Sequence, residues 1–218
     1  MTNTDTTTSL TTARTHTPSA TGGLPDPRPE FLTAIQTTHD VLAAVRADQT
    51  TLPTPCGAFD VDALSGHVLA VLHRIGVVGS TGDFSSTPRH LDVPFAERID
   101  ESVRLGTEAV AAWSDDSKLA TVVSVPWGQL PGAIALVTYV NELMVHSWDL
   151  ATATGQQPTW NDDAVSLAYN GIQRGLPREG RSIDGTGADG LAPFGAVVDV
   201  ADDAPLIDRL VAWNGRRP

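Results

Sequence analysis

The chain has 218 residues and a formal charge of −12, from 26 acidic and 14 basic side chains, which suits one domain and argues against nucleic-acid or membrane-surface partners. A single cysteine, Cys56, excludes an intramolecular disulfide and indicates a reducing compartment. No apolar run reaches the ~18 residues of a membrane span and no secretory signal is evident, so we expect a cytoplasmic protein. Either a monomer or a homodimer is expected.

The N-terminal half of the chain begins with a predicted disordered tail. Residues 1–29 are rich in Thr, Gly and Pro and have few large apolar side chains to offset the entropy of ordering. Over residues 31–47, apolar side chains recur every three or four positions, which indicates an amphipathic helix. After a loop with two prolines and a glycine, a second helix is predicted over residues 61–79, with Asp60 as its N-terminal cap.

A third helix is predicted after Pro94, because a first helical turn tolerates proline. Its inward face is expected to carry Phe95, Ile99, Val103, Gly106, Val110 and Trp113. The β-branched run TVVSVPWG favours a short strand or an extended connection. The longest helix is predicted over residues 131–154, with Gly155 terminating it.

Residues after about 155 are expected to form a small C-terminal extension. It comprises a fifth helix near residues 162–176, a glycine-rich loop over 178–190 and a short final helix. Four principal helices with short or irregular links predict a mainly α fold, an antiparallel four-helix bundle with a short strand element. Residues 30–218 are expected to form one domain, with its site built from inward side chains on facing helices.

The longest predicted helix carries a carboxylate in an apolar setting. Residues 133–145 are apolar almost all the way round, which indicates burial on most faces, and Glu142 lies among them. A bare carboxylate there is costly to desolvate, so we expect it to be protonated, paired with a cation or bound to a metal. His146 lies four residues further on, so both side chains point the same way and can chelate one ion.

A third metal ligand has to come from another helix, and the second helix offers His67. His67 flanks the apolar stripe of that helix, whereas His73 projects to the opposite side and His90 falls in a loop. Two histidines and one carboxylate are typical of zinc sites that keep a fourth position open for water or substrate. The alternative is that Glu142 and His146 form an ordinary surface pair.

Other side chains are candidates for supporting roles. Asp149 is predicted either to orient a ligand histidine or to pair with an arginine at the helix end. His39 is a pocket candidate as proton carrier or substrate contact, or else a partly buried, hydrogen-bonded histidine. Cys56 is a candidate thiolate or a packed small residue. Trp127 and Trp148 either frame a pocket wall or pack in the core.

Two segments of the sequence resemble a known family. TPCGAFDVDALSGHV, followed by NELMVHSWDLATATG, is similar to the N-terminal metal-binding domain of mycothiol-dependent maleylpyruvate isomerases, within the DinB-like superfamily. The ending from FGAVVDV through DRLVAWNGRRP is similar to that of short actinobacterial members, so the resemblance covers about residues 30–218. Two features depart from the family: Cys56 is followed by Gly, Ala and Phe rather than Pro, Gly and Trp, and the segment after Gly155 is short.

The resemblance implies a bundle that binds zinc or another divalent ion through His67, Glu142 and His146. It also implies that the metal activates a low-molecular-weight thiol such as mycothiol. The predicted function is a thiol-linked isomerase or S-transferase acting on a small molecule. The alternatives are a metal-dependent hydrolase, lyase or cyclase in small-molecule biosynthesis, and a non-catalytic bundle that binds a small ligand.

Overall fold

The computed structural model describes residues 25–57, 59–179, 181 and 195–218. In chain order the elements are α1 (Arg28–Ala43), α2 (Val61–Thr81), α3 (Arg98–Ala112), α4 (Ser117–Ala120), β1 (Val122–Val125), β2 (Gly128–Pro131), α5 (Gly132–Thr154), α6 (Asp162–Gly175) and α7 (Leu206–Trp213). Short 3₁₀ turns occupy Ala47–Gln49 and Phe95–Glu97. The predicted tail up to residue 24 and most of the glycine-rich loop lie outside the described residues.

Four helices form an antiparallel bundle that buries most of the apolar side chains. Helices α1 and α2 each pack against both α3 and α5, while α6 packs on α5 and α1, and α7 packs on α6 and α5. The predicted strand pairs antiparallel with a second one, with Val122 opposite Pro131 and Val125 opposite Gly128. The predicted mainly α fold, with a bundle and a small strand element, is therefore confirmed.

Helix ends follow the capping residues of the sequence. The Asp60 carboxylate accepts a hydrogen bond of 2.8 Å from the Ala63 amide at the start of α2. Gly82 and Gly155 end α2 and α5 with φ of 79° and 71°, a left-handed conformation that favours glycine. Helix α1 ends at Ala43, earlier than predicted, and α2 continues past Gly79 to Thr81.

The inward face of α3 differs from the prediction. Three residues expected to face inward are at least 36% exposed: Phe95, Val103 and Val110. The buried residues of α3 are Arg98, Ser102, Leu105, Gly106 and Ala109. Gly106 allows a close approach, because a β-carbon there would lie 2.8 Å from Cγ2 of Ile35 on α1. Helix α3 therefore packs against α1 through a face that includes Gly106, which permits a close approach. Burying the larger apolar side chains of Val103 and Val110 would have kept the helices further apart.

Helix α2 is long and apolar enough to cross a membrane by length and composition, with a mean hydropathy of 1.4. However, 72% of its most apolar window is buried inside the protein, as in the central helix of a packed core.

The corner where α2, α3 and α4 meet is fastened by two side chains. The Trp113 indole donates a 2.9 Å hydrogen bond to the Ile75 carbonyl. The Lys118 ammonium donates to the carbonyls of Gly79 at 2.5 Å and Ala112 at 2.8 Å. These two carbonyls belong to the last turns of α2 and α3, where the helices themselves supply no donors.

The C-terminal extension is anchored to α5 by a buried pair of amides. Asn214 donates to Asn141 at 2.9 Å and to the Leu210 carbonyl at 2.9 Å, and Asn141 donates back to Asn214 at 3.2 Å. Both side chains are almost fully buried. Because Asn141 immediately precedes Glu142, the extension is fixed next to the candidate site.

We expect Asn214→Ala to lower the free energy of unfolding by about 1–3 kcal/mol, since it leaves the buried Asn141 amide without its partner. Urea denaturation measures the change. Asn170→Ala, at an exposed position on α6, is the matched control and should stay within about 0.5 kcal/mol of wild type. Equal effects of the two substitutions would show that the amide pair contributes nothing.

Candidate metal centre

Glu142 lies in the middle of α5 and faces α2. Its Oε1 atom is 3.8 Å from Nε2 of His67 and 3.6 Å from Nη1 of Arg74, both on α2. Its Oε2 atom is buried and has no hydrogen-bond partner among the described residues. The carboxylate side chain is only 16% exposed, so water can solvate little of its charge.

His67 is oriented by contacts on two sides of its ring. Its Nδ1 atom lies 2.8 Å from the Arg89 carbonyl, and the ring of Phe59 stacks on it at a centroid distance of 5.4 Å. Because a carbonyl oxygen can only accept, Nδ1 carries the proton and Nε2 keeps its lone pair. Burial, together with the neighbouring His146, lowers the pKa of His67 to about 3, so the imidazole is neutral at pH 7.

His146 is oriented by a carboxylate instead. Its ring stands edge-on to that of His67 at 5.1 Å, and its Nδ1 is 3.1 Å from Oδ2 of Asp149. Burial alone would lower its pKa, but hydrogen bonds with Asp149 and Cys56 raise the pKa to about 9. The Nε2 atom therefore has to lose a proton before it can bind a metal ion.

Asp149 is fully buried and is held by Arg216 from the C-terminal extension. The guanidinium donates from Nε to Oδ1 at 3.2 Å and from Nη2 to Oδ2 at 3.0 Å. Burial opposes ionisation of this carboxyl, yet the His146 hydrogen bond and the Arg216 charge lower its pKa. Asp149 thus makes both of its predicted contacts, with a histidine and with an arginine.

Two groups of metal-ligating side chains occur among the described residues, and they share His146. One joins His67, Glu142 and His146, and the other joins Cys56, His146 and Asp149; within each group the ligand atoms lie within 4.8 Å of one another. In the second group Arg216 already binds both oxygens of Asp149 and approaches the Cys56 sulfur at 3.4 Å. That cationic side chain makes the second group unfavourable for a metal ion.

The first group fits a divalent ion. Two imidazoles and a carboxylate are typical zinc donors, with bonds of about 2.0–2.2 Å, so the 3.8 Å between Nε2 of His67 and Oε1 of Glu142 is short enough for one ion to contact both. The unpartnered Oε2 atom of Glu142 is a further available donor. In both histidines Nδ1 is occupied and Nε2 is the atom left to bind, which is the usual arrangement of metal-binding histidines.

The other predicted site residues lie elsewhere or in different roles. His39 contacts Ser102 of α3 at 2.9 Å and belongs to neither ligand group found among the described residues. Trp148 is buried in the core, while Trp127 is 42% exposed and packs edge-on against Tyr139. Cys56 lies beside Arg216 rather than against Glu142.

Sequence reasoning missed two arginines of the site. Arg74 lies seven residues after His67, two helical turns along the same face of α2, and that spacing could have indicated it. Arg216 carries no comparable signal, because its position depends on how the C-terminal extension folds back.

Comparisons with known proteins identify a similar fold but no activity. No family model matches the sequence. A crystal structure of a mutant mycothiol-dependent maleylpyruvate isomerase matches with a TM-score of 0.54, covering 72% of each chain at 14% identity. The fold is similar to that of this isomerase. At such low identity the likeness concerns the fold alone.

Two curated relatives come from Mycobacterium tuberculosis, one from strain CDC 1551 / Oshkosh and one from strain ATCC 25618 / H37Rv. Each is described as an uncharacterized protein and is 28% identical over 180 residues. The match covers 81% of this chain and 90% of each relative.

We expect Asp149→Asn to lower the free energy of unfolding by about 3–5 kcal/mol, because it leaves the buried Arg216 charge without its counter-ion. Urea denaturation of metal-free protein measures the loss. Asp199→Asn, which breaks the exposed ion pair with Arg178, is the control and should have little effect. If the two variants are equally stable, Asp149 does not neutralise Arg216.

Proposed function

We propose that the chain is a divalent-metal-dependent enzyme acting on a small molecule, with His67, Glu142 and His146 as the metal ligands. The observation that carries the proposal is the orientation of the two histidines. Each uses Nδ1 for a protein contact; Nε2 of His67 lies 3.8 Å from the Glu142 carboxylate, and one ligand atom each of His67, Glu142 and His146 lie within 4.8 Å of one another. Metal-binding histidines typically donate through the ring nitrogen that does not bind the metal, as Nδ1 does here.

The metal is proposed to be zinc, because zinc binds imidazole and carboxylate donors and has no strong geometric preference of its own. A divalent ion held there supplies positive charge that lowers the pKa of a nearby thiol or water molecule, so that a nucleophile forms near pH 7. The three protein ligands leave room for one further group.

The surrounding residues of the chain position the ligands and limit the access of water. Asp149, itself held by Arg216, accepts a hydrogen bond from Nδ1 of His146 and fixes that ring. Phe59 covers one face of His67. Because the ligand side chains are only 12–16% exposed, charges act on one another there more strongly than they would in water.

We propose a low-molecular-weight thiol of the mycothiol type as co-substrate, and isomerisation or S-transfer as the reaction. The fold likeness to a mycothiol-dependent isomerase supports this class. The water-dependent alternative is a hydrolase, and Lewis-acid catalysis would give a lyase or cyclase. These alternatives use the same three ligands and differ in which molecule occupies the remaining position.

One contact favours a second candidate, a non-catalytic bundle. Arg74 lies 3.6 Å from Glu142 and is itself almost fully buried, so it can neutralise the carboxylate without a metal. In that case the cluster would be a buried ion pair with two packed histidines. The metal content of the purified protein distinguishes the two candidates.

We expect protein purified without a histidine tag to contain about one equivalent of a divalent metal, since three protein ligands define one site. His67→Ala should lose most of it, whereas His73→Ala, on the same helix, should keep it. Elemental analysis after exhaustive dialysis gives the metal content. Less than about half an equivalent in wild type, unchanged by His67→Ala, would favour the ion-pair candidate.

Mycothiol should raise the melting temperature of the metal-loaded protein in a concentration-dependent way, because a ligand that binds only the folded state stabilises it. Differential scanning fluorimetry measures the shift. Neither chelator-treated protein nor His67→Ala should respond. A metal-loaded protein that ignores mycothiol would contradict the thiol assignment and leave the hydrolase, lyase or cyclase class.

A further inference from the structure

The connection between α2 and α3, residues 82–94, returns along α2 and bonds to two consecutive residues of that helix. We call it the α2–α3 loop. The Arg89 carbonyl is 2.8 Å from Nδ1 of His67, and the Leu91 amide donates a 3.0 Å hydrogen bond to the Gly66 carbonyl. The loop is therefore held on Gly66 and in turn holds His67.

The same loop reaches the second α2 side chain that meets Glu142. Nε of Arg74 is 3.4 Å from the Thr87 hydroxyl, and Nη2 is 3.5 Å from the Pro88 carbonyl. Residues 87–89 thus contact His67 and Arg74, the two α2 side chains whose nitrogen atoms approach the Glu142 carboxylate. A displacement of this short segment would change the orientation of both.

The absence of a side chain at Gly66 allows the exposed ring of His90 to lie against the helix. A β-carbon on Gly66 would overlap the imidazole ring of His90. His90 stands between Arg89 and Leu91, the two residues whose backbones bond to α2. If the backbone moves together with a displaced ring, the Arg89 carbonyl, which selects the tautomer of His67, moves with it.

We propose that the contact of the His90 ring with Gly66 helps to orient His67. Gly66 and His90 are then positioning residues of the metal centre, although neither binds the ion. The inference rests on the proposed metal site and deepens it. Partners that orient metal-binding histidines typically change metal affinity 10- to 100-fold when they are lost.

The test compares four variants of the full chain. Gly66→Ala introduces the collision, and Gly66→Ala combined with His90→Ala removes it again. His90→Ala alone is the reference for the double variant. Gly76→Ala is the matched control on the same helix, because a β-carbon there would meet its nearest neighbour, the Ala109 backbone, at an ordinary 3.6 Å.

Two readouts are measured on each variant. The first is solvent exchange of the His67 Nδ1 proton in metal-free protein, followed by nitrogen-15 NMR of the imidazole rings. The second is zinc affinity, measured by competition with a chromophoric chelator. For Gly66→Ala we expect faster exchange and 10- to 100-fold weaker zinc binding, while Gly76→Ala stays at wild type. His90→Ala removes the contact without a collision, so it should show a smaller loss than Gly66→Ala in both readouts, and the double variant should match His90→Ala.

Two results would overturn the proposal. If Gly66→Ala equals Gly76→Ala in both readouts, the His90 ring swings into solvent at no cost to His67. If the double variant stays at the values of Gly66→Ala instead of matching His90→Ala, the loss arises from α2 itself. If Gly66→Ala does not fold, folding of the double variant with His90→Ala would show that the added β-carbon collides with the His90 ring. An unfolded double variant would place the fault in α2 itself.

Failure of the proposed function is a separate outcome. If the wild type binds no zinc, the metal assignment is wrong, but the exchange rate of the His67 proton still decides whether Gly66 and His90 position the ring.

Discussion

The burial of one carboxylate constrains the arrangement of the helices around it. Glu142 lies on the most deeply buried helix of the bundle, where an isolated negative charge would be strongly unfavourable. Helix α2 supplies a guanidinium, Arg74, that can neutralise this charge, whereas His67, two turns away on the same face, directs only the lone pair of Nε2 toward the carboxylate. The packing of α2 against α5 therefore has an electrostatic component in addition to the apolar contacts that both helices make.

The two candidate ligand histidines are held by different kinds of group, and the difference affects their charge. A backbone carbonyl fixes the tautomer of His67 while burial lowers its pKa and keeps it neutral, whereas a carboxylate makes His146 more basic. The carboxylate in turn depends on Arg216, which comes from the far end of the chain. Side chains from α2, α5 and the C-terminal extension thus contribute to one site, and the Asn141–Asn214 pair holds the extension against α5.

Short-range patterns in the sequence predict most of the helices and the core of the site. The i, i+4 spacing of Glu142 and His146 requires only that α5 be a helix, and the caps at Asp60 and Gly155 are local features. Sequence periodicity could not predict the contacts that depend on tertiary packing. The Arg74–Glu142 pair, the return of the α2–α3 loop and the close approach of Ile35 to Gly106 all depend on how the elements pack together.

The attachment of Lys118 at the corner of α2, α3 and α4 has a practical consequence. It is the only lysine of the chain, and its ammonium is bound to two carbonyls. A reagent that acylates lysine side chains needs a free, deprotonated amine, so it will react at this position only in molecules whose corner has opened. The extent of modification, read by mass spectrometry, then reports local opening of one defined corner without background from other lysine side chains.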